Sequence, residues 1–279
     1  MKKTEIHPLA VVEKGAELGS NVTIEPYAIV KKDVVIEDNV VVKSHAYIDG
    51  HTTIGRGTVI WPSASIGTKT QALDYTGEVT YVKIGRECEI REFVTINSST
   101  SPGSTVHVGD HCLIMAYCHI AHSCYVGNHV IMSNGSMLAG HVIVEDYAIL
   151  GGMTPVHQFV RIGCHSMVGG LSRVTEDIPP YTIGGGIPYV LAGINRVGLK
   201  RRNFSFEIQK ALFRAYRLVY KSNLALATAL CQIEREMGEF DEIKHFVSFC
   251  RKSKRGLIGM RGIRASRMEK EKKIEYSKV

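Results

Sequence analysis

The sequence predicts a mainly β protein, a parallel β-helix that fills most of the chain and is closed by a C-terminal α-helical domain. Three observations carry this. Apolar residues recur at a spacing of six at Ile6, Val12, Leu18, Ile24, Val30, Ile36, Val42, Ile48, Ile54, Ile60 and Ile66. A small or β-branched residue stands four positions after each, as at Ala10, Ala28, Val34, Ala46, Thr58 and Ala64. From about Arg196 onward that spacing is replaced by helical periodicity.

A period of six fits neither the 3.6-residue helix nor a heptad. It is a multiple of the strand period, so the repeat start and the residue four later face one side. Each hexad is then a short strand followed by a turn, with Gly, Asn and Asp at the turn, as in Gly19-Ser20-Asn21 and Gly127-Asn128. The phase returns at Ile84, Ile90 and Ile96, and runs again from Val108 through Ile120, Leu138 and Val156 to Val174. Two stretches, 67–83 and 101–107, break it and read as loops thrown out of the coil, a common place for binding surfaces.

The repeat ends at Ile178-Pro179-Pro180, and a Gly/Pro-rich link follows at Gly184–Pro188. Ser205 suits an N-cap for a helix near 206–221; further helices are expected near 224–236 and 241–252. The division is 1–190 for the β-helix, 191–262 for a helical domain that caps its open end, and 263–279 for a basic, flexible tail.

Net charge is +7, unevenly spread. Residues 196–279 hold 21 Lys and Arg against 9 Asp and Glu, while the preceding residues hold 13 against 18. A basic C-terminal third attracts acidic partners, whether phosphates, nucleic acid, anionic lipid or an acidic protein. There is no run of eighteen apolar residues and no apolar signal region after Met1-Lys2-Lys3, so a soluble cytoplasmic protein without a transmembrane segment is expected. The 7 cysteines include no CxxC pair and suggest neither a disulfide framework nor a zinc ribbon.

The repeat phase sorts the chemistry. Cys88, Cys112, Cys118 and Cys124 fall at the small interior position and belong to the core. His45, His51, His111, His129 and His165 take the fourth hexad position, near turns. His119, His122, His141 and His157 form a different group. If a coil is three hexads, His122 lies under Gly140 and Gly140 under Gln158, flanked by His141 and His157. Such a column suits acyl transfer to a hydroxyl, with histidine as base and a glycine amide for the oxyanion. No Gly-x-Ser-x-Gly elbow occurs, which favours direct transfer over an acyl-enzyme.

Several motifs in combination, His119-Ile-Ala-His122, Leu138-Ala-Gly-His141, Gly151-Gly-Met-Thr-Pro-Val-His157-Gln158, Met167-Val-Gly-Gly170, Asp177-Ile-Pro-Pro-Tyr181 and Gly198-Leu-Lys-Arg-Arg202, resemble the UDP-N-acetylglucosamine O-acyltransferases of lipid A synthesis. The resemblance spans about residues 5–262. It implies a left-handed β-helix, a homotrimer with active sites between subunits, and transfer of an acyl chain from acyl carrier protein to the sugar 3-hydroxyl. Acyl carrier protein is then an acidic co-substrate; no cofactor, metal or nucleic acid is implied. His122 resembles the general base and Gly140 the oxyanion amide. Gln71, His119, His141, His157 and Gln158 resemble sugar-nucleotide and acyl contacts. Asn195, Arg201 and Arg202 resemble contacts to the nucleotide end, where guanidinium suits phosphate. Gly170 matches a position that limits acyl length, and glycine there suggests a long chain. The chain departs from the family pattern at Ser123, where Asp is usual, at Ala72 within Gln71-Ala-Leu-Asp74, and at Asn97, often histidine.

Three rivals differ in kind. A hexapeptide-repeat N-acyltransferase of the same pathway carries an extra domain before its β-helix, whereas the repeat here begins at Ile6. A trimeric β-helical zinc enzyme of the carbonic anhydrase type would use three histidines, which His119, His122 and His141 could supply. A purely structural solenoid leaves the His/Gly/Gln column unexplained.

Overall fold

In a computed structural model the described residues are 4–260. Short strands, most of two residues, repeat along the coil and stack into three sheets of 11, 8 and 8 strands, parallel except for the last pair of the first sheet. Partners lie one coil apart: His119 pairs with Met137, and Met137 with Pro155. Stacked side chains at corresponding positions are 18 residues apart, as in Asn128 and Asp146, so a coil is three hexads. The repeat-start residues from Ile24 to Val168 are buried, and so are the small positions between them. Cys88, Cys112, Cys118 and Cys124 are among these buried residues, because a small side chain is all the narrow prism admits there.

The prism has three edges, and most turns rest on a residue with φ near +60°. His45, His111, His129 and His165 hold such turns, and His141 belongs to the same set at φ 61°. His51 does not: Gly50 takes the positive φ (61°), and His51 opens the strand His51–Ile54.

The chain leaves the coil near both expected places, the first excursion being shorter than 67–83 and the second, 98–104, starting three residues before the expected 101–107. Strands Ser65–Thr68 and Tyr81–Ile84 run into the first, leaving 69–80 as the excursion, and Thr105–Val108 closes the second. Corresponding residues across these insertions lie 30 and 24 apart, as in Cys88 with Thr58 and Arg86 with Asp110. The insertions therefore add whole hexads, and the interior phase survives them.

The Gly/Pro-rich link is a hairpin rather than a loop. Thr182–Gly185 adds in parallel to Met167–Val168, and Val190–Ile194 returns antiparallel. Four helices follow: α1 Arg196–Arg201, α2 Phe206–Tyr220, α3 Leu226–Met237 and α4 Asp241–Arg251. Ser205 caps α2 as expected, accepting from Ile208 N. The helical unit closes the C-terminal end of the coil. Arg161 spreads over the Phe249 ring at 4.1 Å, and Asp177 bonds to Gly256 and Ile258. The opposite end stays open, with Ile6 and Val11 about half exposed. The 263–279 tail lies outside the described residues.

Candidate active site

One edge of the prism gathers most of the predicted residues. Strand His119–Ile120 feeds a turn through His122 and Ser123 (φ 59°). One coil on, Met137–Leu138 leads to Gly140 and His141, and one coil further Pro155–Val156 leads to His157, Gln158 and Phe159. The 18-residue stacking drawn from the sequence thus brings His122, Gly140 and Gln158 into one column.

His122 packs flat on Gly140. A Cβ at Gly140 would stand 2.5 Å from His122 Nε2 and 3.0 Å from Nδ1, so any other residue here would displace this imidazole. The Gly140 carbonyl accepts from Phe159 N (3.2 Å); among the described residues, no acceptor takes the Gly140 N–H. His141 meets His122 edge-on, ring centroids 5.1 Å apart, and is itself stacked on Phe159 at 4.7 Å. The stack fixes the direction in which His141 can reach.

Burial holds the His122 imidazole below its usual pKa, the nearby His141 lowers it further, and the carboxylate of Asp74 pulls the other way. Asp74 belongs to the 69–80 excursion, which leaves the coil at this same edge. Sequence reasoning noted Asp74 only as a departure within a motif; its charge reaches His122 through space. Gln71 lies on the same excursion and is exposed.

Ser123, in the place where carboxylate is usual, ends a chain of hydroxyls. Ser104 Oγ donates to Ser99 Oγ (2.8 Å), Ser99 and Ser123 share a bond of 3.0 Å, and Ser123 Oγ lies 3.4 Å from His122 Nδ1. With Nδ1 turned toward Ser123, Nε2 remains on the Gly140 side, available as a proton acceptor. His119 is held by Thr95 Oγ1 at 2.7 Å from its Nδ1, and burial lowers its pKa. His157 and Gln158 are exposed; His157 Nδ1 lies 3.2 Å from the Gln158 carbonyl. Asn97 is buried and donates to Thr68 Oγ1 at 3.2 Å.

The remaining predicted residues lie elsewhere on the chain. Gly170 sits against Gly152 at a second edge, beside Met153 and Leu171. Arg202 lies over the Tyr147 ring at 4.9 Å on the third edge, within a ladder of His129, Tyr147, His165 and Tyr181. Burial, reinforced by the Arg202 charge, depresses the pKa of His165 to about 4, so that imidazole stays neutral near pH 7. Asn195 is buried with its amide already committed: Oδ1 caps α1 through Gly198 N (3.1 Å) and Nδ2 donates to the His165 carbonyl (2.9 Å). It orients the helix that carries Arg201 and Arg202. A cavity of about 720 Å³ lies between the hairpin and α2, lined by Arg173, Tyr189, Tyr216 and Lys221, away from the His122 column.

Among the described residues, His119, His122 and His141 do not form a group able to hold a metal ion; the cluster that can is at Glu145, Cys164 and His245. No described helix is long and apolar enough to cross a membrane.

Comparison with known proteins agrees with this geometry. The second domain of the UDP-N-acetylglucosamine O-acyltransferase family matches residues 177–258, and bacterial transferase hexapeptide repeats match 33–68 and 105–140. Acyl-[acyl-carrier-protein]--UDP-N-acetylglucosamine O-acyltransferases of Chlamydia abortus and Chlamydia caviae are 59% and 57% identical over 255 residues, covering 91% of this chain and 91% of each relative. The solved UDP-N-acetylglucosamine acyltransferase of Bacteroides fragilis superposes with a TM-score of 0.89 at 40% identity, covering 91% of this chain and 99% of that one. The Arabidopsis enzyme does so with a TM-score of 0.81 at 31% identity. The coil is accordingly a left-handed parallel β-helix, and the chain belongs to the UDP-N-acetylglucosamine O-acyltransferase family.

Proposed function

We propose that the His122 column transfers a fatty acyl chain from acyl carrier protein to the 3-hydroxyl of UDP-N-acetylglucosamine, the first step of lipid A synthesis, in a cytoplasmic homotrimer. The observation that carries the reading is the close packing of His122 on Gly140, which sets a base and a free amide side by side.

In this reading Nε2 of His122 takes the proton of the sugar hydroxyl as its oxygen attacks the thioester carbonyl. The Gly140 N–H receives the charge that grows on the carbonyl oxygen. The tetrahedral intermediate collapses, the pantetheine sulfur leaves, and the imidazolium returns its proton to that sulfur. A burial-lowered pKa keeps His122 neutral and ready near pH 7. Ser123 holds the ring through Nδ1, and Asp74 supplies the negative charge that a carboxylate at position 123 would otherwise provide. Gln71, His119, His141, His157 and Gln158 are assigned to sugar and acyl contacts around this edge, and Arg201 and Arg202 to phosphate.

The acyl chain has a path as well. The sheet face bearing His119, Met137 and Pro155 spans from the His122 edge to the edge holding Gly170, and Met137 is half exposed on it. Gly170 leaves the far end of that face open, consistent with a long chain. Apolar side chains lie exposed along the Gly170 edge, including Phe93, Tyr117, Met153 and Leu171, and support its burial against a second copy. The basic C-terminal third suits an acidic carrier protein.

The test is His122→Ala assayed with UDP-N-acetylglucosamine and a panel of acyl carrier protein thioesters. Activity is expected to fall by ~10²–10⁴-fold with the assembly intact. A variant within a few-fold of wild type would refute His122 as the base.

A further inference from the structure

We infer that Glu145, Cys164 and His245 form a binding site for a divalent transition cation of the zinc class, at the junction of the β-helix and the helical domain and on a different edge of the prism from His122. The three residues come from separate segments. Glu145 lies in the turn after Ile143–Val144, Cys164 one coil on after Arg161–Ile162, and His245 in α4. One ligand atom from each, an oxygen, a sulfur and a nitrogen, lies within 4.8 Å of the other two. His245 Nε2 is 2.8 Å from Glu145 Oε2, which also accepts from Cys164 N at 3.0 Å.

The donor set selects the class of ion. Calcium and magnesium take oxygen ligands, whereas one sulfur, one nitrogen and one oxygen suit a borderline-soft cation. Zinc bonds of about 2.0–2.3 Å place tetrahedral ligands roughly 3.3–3.7 Å apart, so the observed cluster needs to close by about 1 Å. His245 and Glu145 are already nearer than that. The second oxygen of Glu145 is 3.3 Å from Arg161 Nη2, which orients the carboxylate as outer partners of metal ligands do.

The surroundings supply the remaining position. All three residues line a cavity of about 410 Å³ whose other walls are Tyr125, Asp146, Tyr147, His165 and Tyr181. A three-ligand site opening into such a hollow keeps its fourth position for water or a small ligand. Simple ion pairing of Glu145 with His245 and Arg161 explains the carboxylate and the imidazole. The Cys164 thiol converges on the same point, hydrogen-bonded to His245, and adds the soft donor that the ion pairs lack.

The experiment uses the full chain, stripped with chelator and desalted. Zinc is titrated by calorimetry, and retained metal is counted after gel filtration. One zinc per chain is expected. Replacing zinc with cobalt should produce a thiolate-to-cobalt charge-transfer band in the near ultraviolet. Cys164→Ser should abolish that band, and both it and His245→Ala should weaken zinc binding by at least ~10-fold. Failure of the unmodified chain to retain zinc, or a cobalt spectrum without the thiolate band, would overturn the proposal whatever the variants do. So would undiminished zinc binding in Cys164→Ser, since the metal would then sit elsewhere.

Discussion

Gly140→Ala is the sharpest perturbation of the proposed chemistry, because it adds one methyl group and nothing else. The backbone at Gly140 is outside the positive-φ region, so alanine introduces no conformational strain there. The new carbon would stand 2.5 Å from His122 Nε2 and nearer still to Cε1. Nonbonded contacts settle at about 3.5–4.0 Å, so the imidazole must retreat by roughly 1 Å or more. A misplacement of that size in an active site costs on the order of 10²-fold. Shielding of the amide would add to it, since loss of an oxyanion donor alone costs about 10²–10³-fold.

The expected result is a fall in kcat of ~10²–10³-fold with the melting temperature little changed. The assay is steady-state acyl transfer, repeated in a His122→Ala background. There the methyl group has no ring to displace, so Gly140→Ala should add much less than it costs in the wild-type enzyme. A Gly140→Ala enzyme within a few-fold of wild type would refute the packing argument. Equal losses in the two backgrounds would show that Gly140 acts without His122.

Two further outcomes follow from the same edge and its neighbours. His122 sits below the ordinary imidazole value because of burial and then His141, so it stays neutral, and active as a base, to lower pH than a free histidine. The acid limb of kcat/KM should fall below pH ~6.5, with activity lost as pH drops through it. Asp74→Asn removes the negative charge that opposes this depression, so its acid limb should move lower still; an unmoved limb would dissociate Asp74 from His122. Arg201→Ala should raise KM for the sugar nucleotide with kcat much less affected, measured by varying that substrate at saturating acyl donor; unchanged binding would remove Arg201 from the phosphate site.

The column was legible from sequence because the solenoid turns spacing into position. Once 18 residues make a coil, His122, Gly140 and Gln158 must stack, and Cys88 or Cys118 must point inward. The Ser104–Ser99–Ser123 chain was not legible, because an insertion separates its members and side-chain reach decides the bonds. Asp74 was visible only as a motif change, since a loop's path over the surface has no period to read. The hairpin Thr182–Gly185 with Val190–Ile194 was hidden by its glycines and prolines, which signal turns more strongly than a short pairing signals strands. The capping of α1 by Asn195 and its bond to the His165 carbonyl were likewise not legible, because both depend on where that helix docks.

The prism geometry also bears on why the enzyme should need more than one copy. His122, Gly170 and Arg202 occupy three different edges, and a close-packed β-helix cannot bend to bring its own edges together. A nucleotide that touches both His122 and Arg201 must then touch two chains. Mixed assembly tests this directly. His122→Ala and Arg201→Ala proteins are unfolded together, refolded as mixed assemblies, and assayed at low sugar nucleotide, where each parent is poor. If a site takes His122 from one protomer and Arg201 from its neighbour, about a quarter of the sites in a random mixture carry both native residues. If both residues come from one chain, every site keeps one lesion and no activity returns. Recovery near a quarter of wild type supports the shared site; activity no higher than the mean of the parents places the whole site on a single prism.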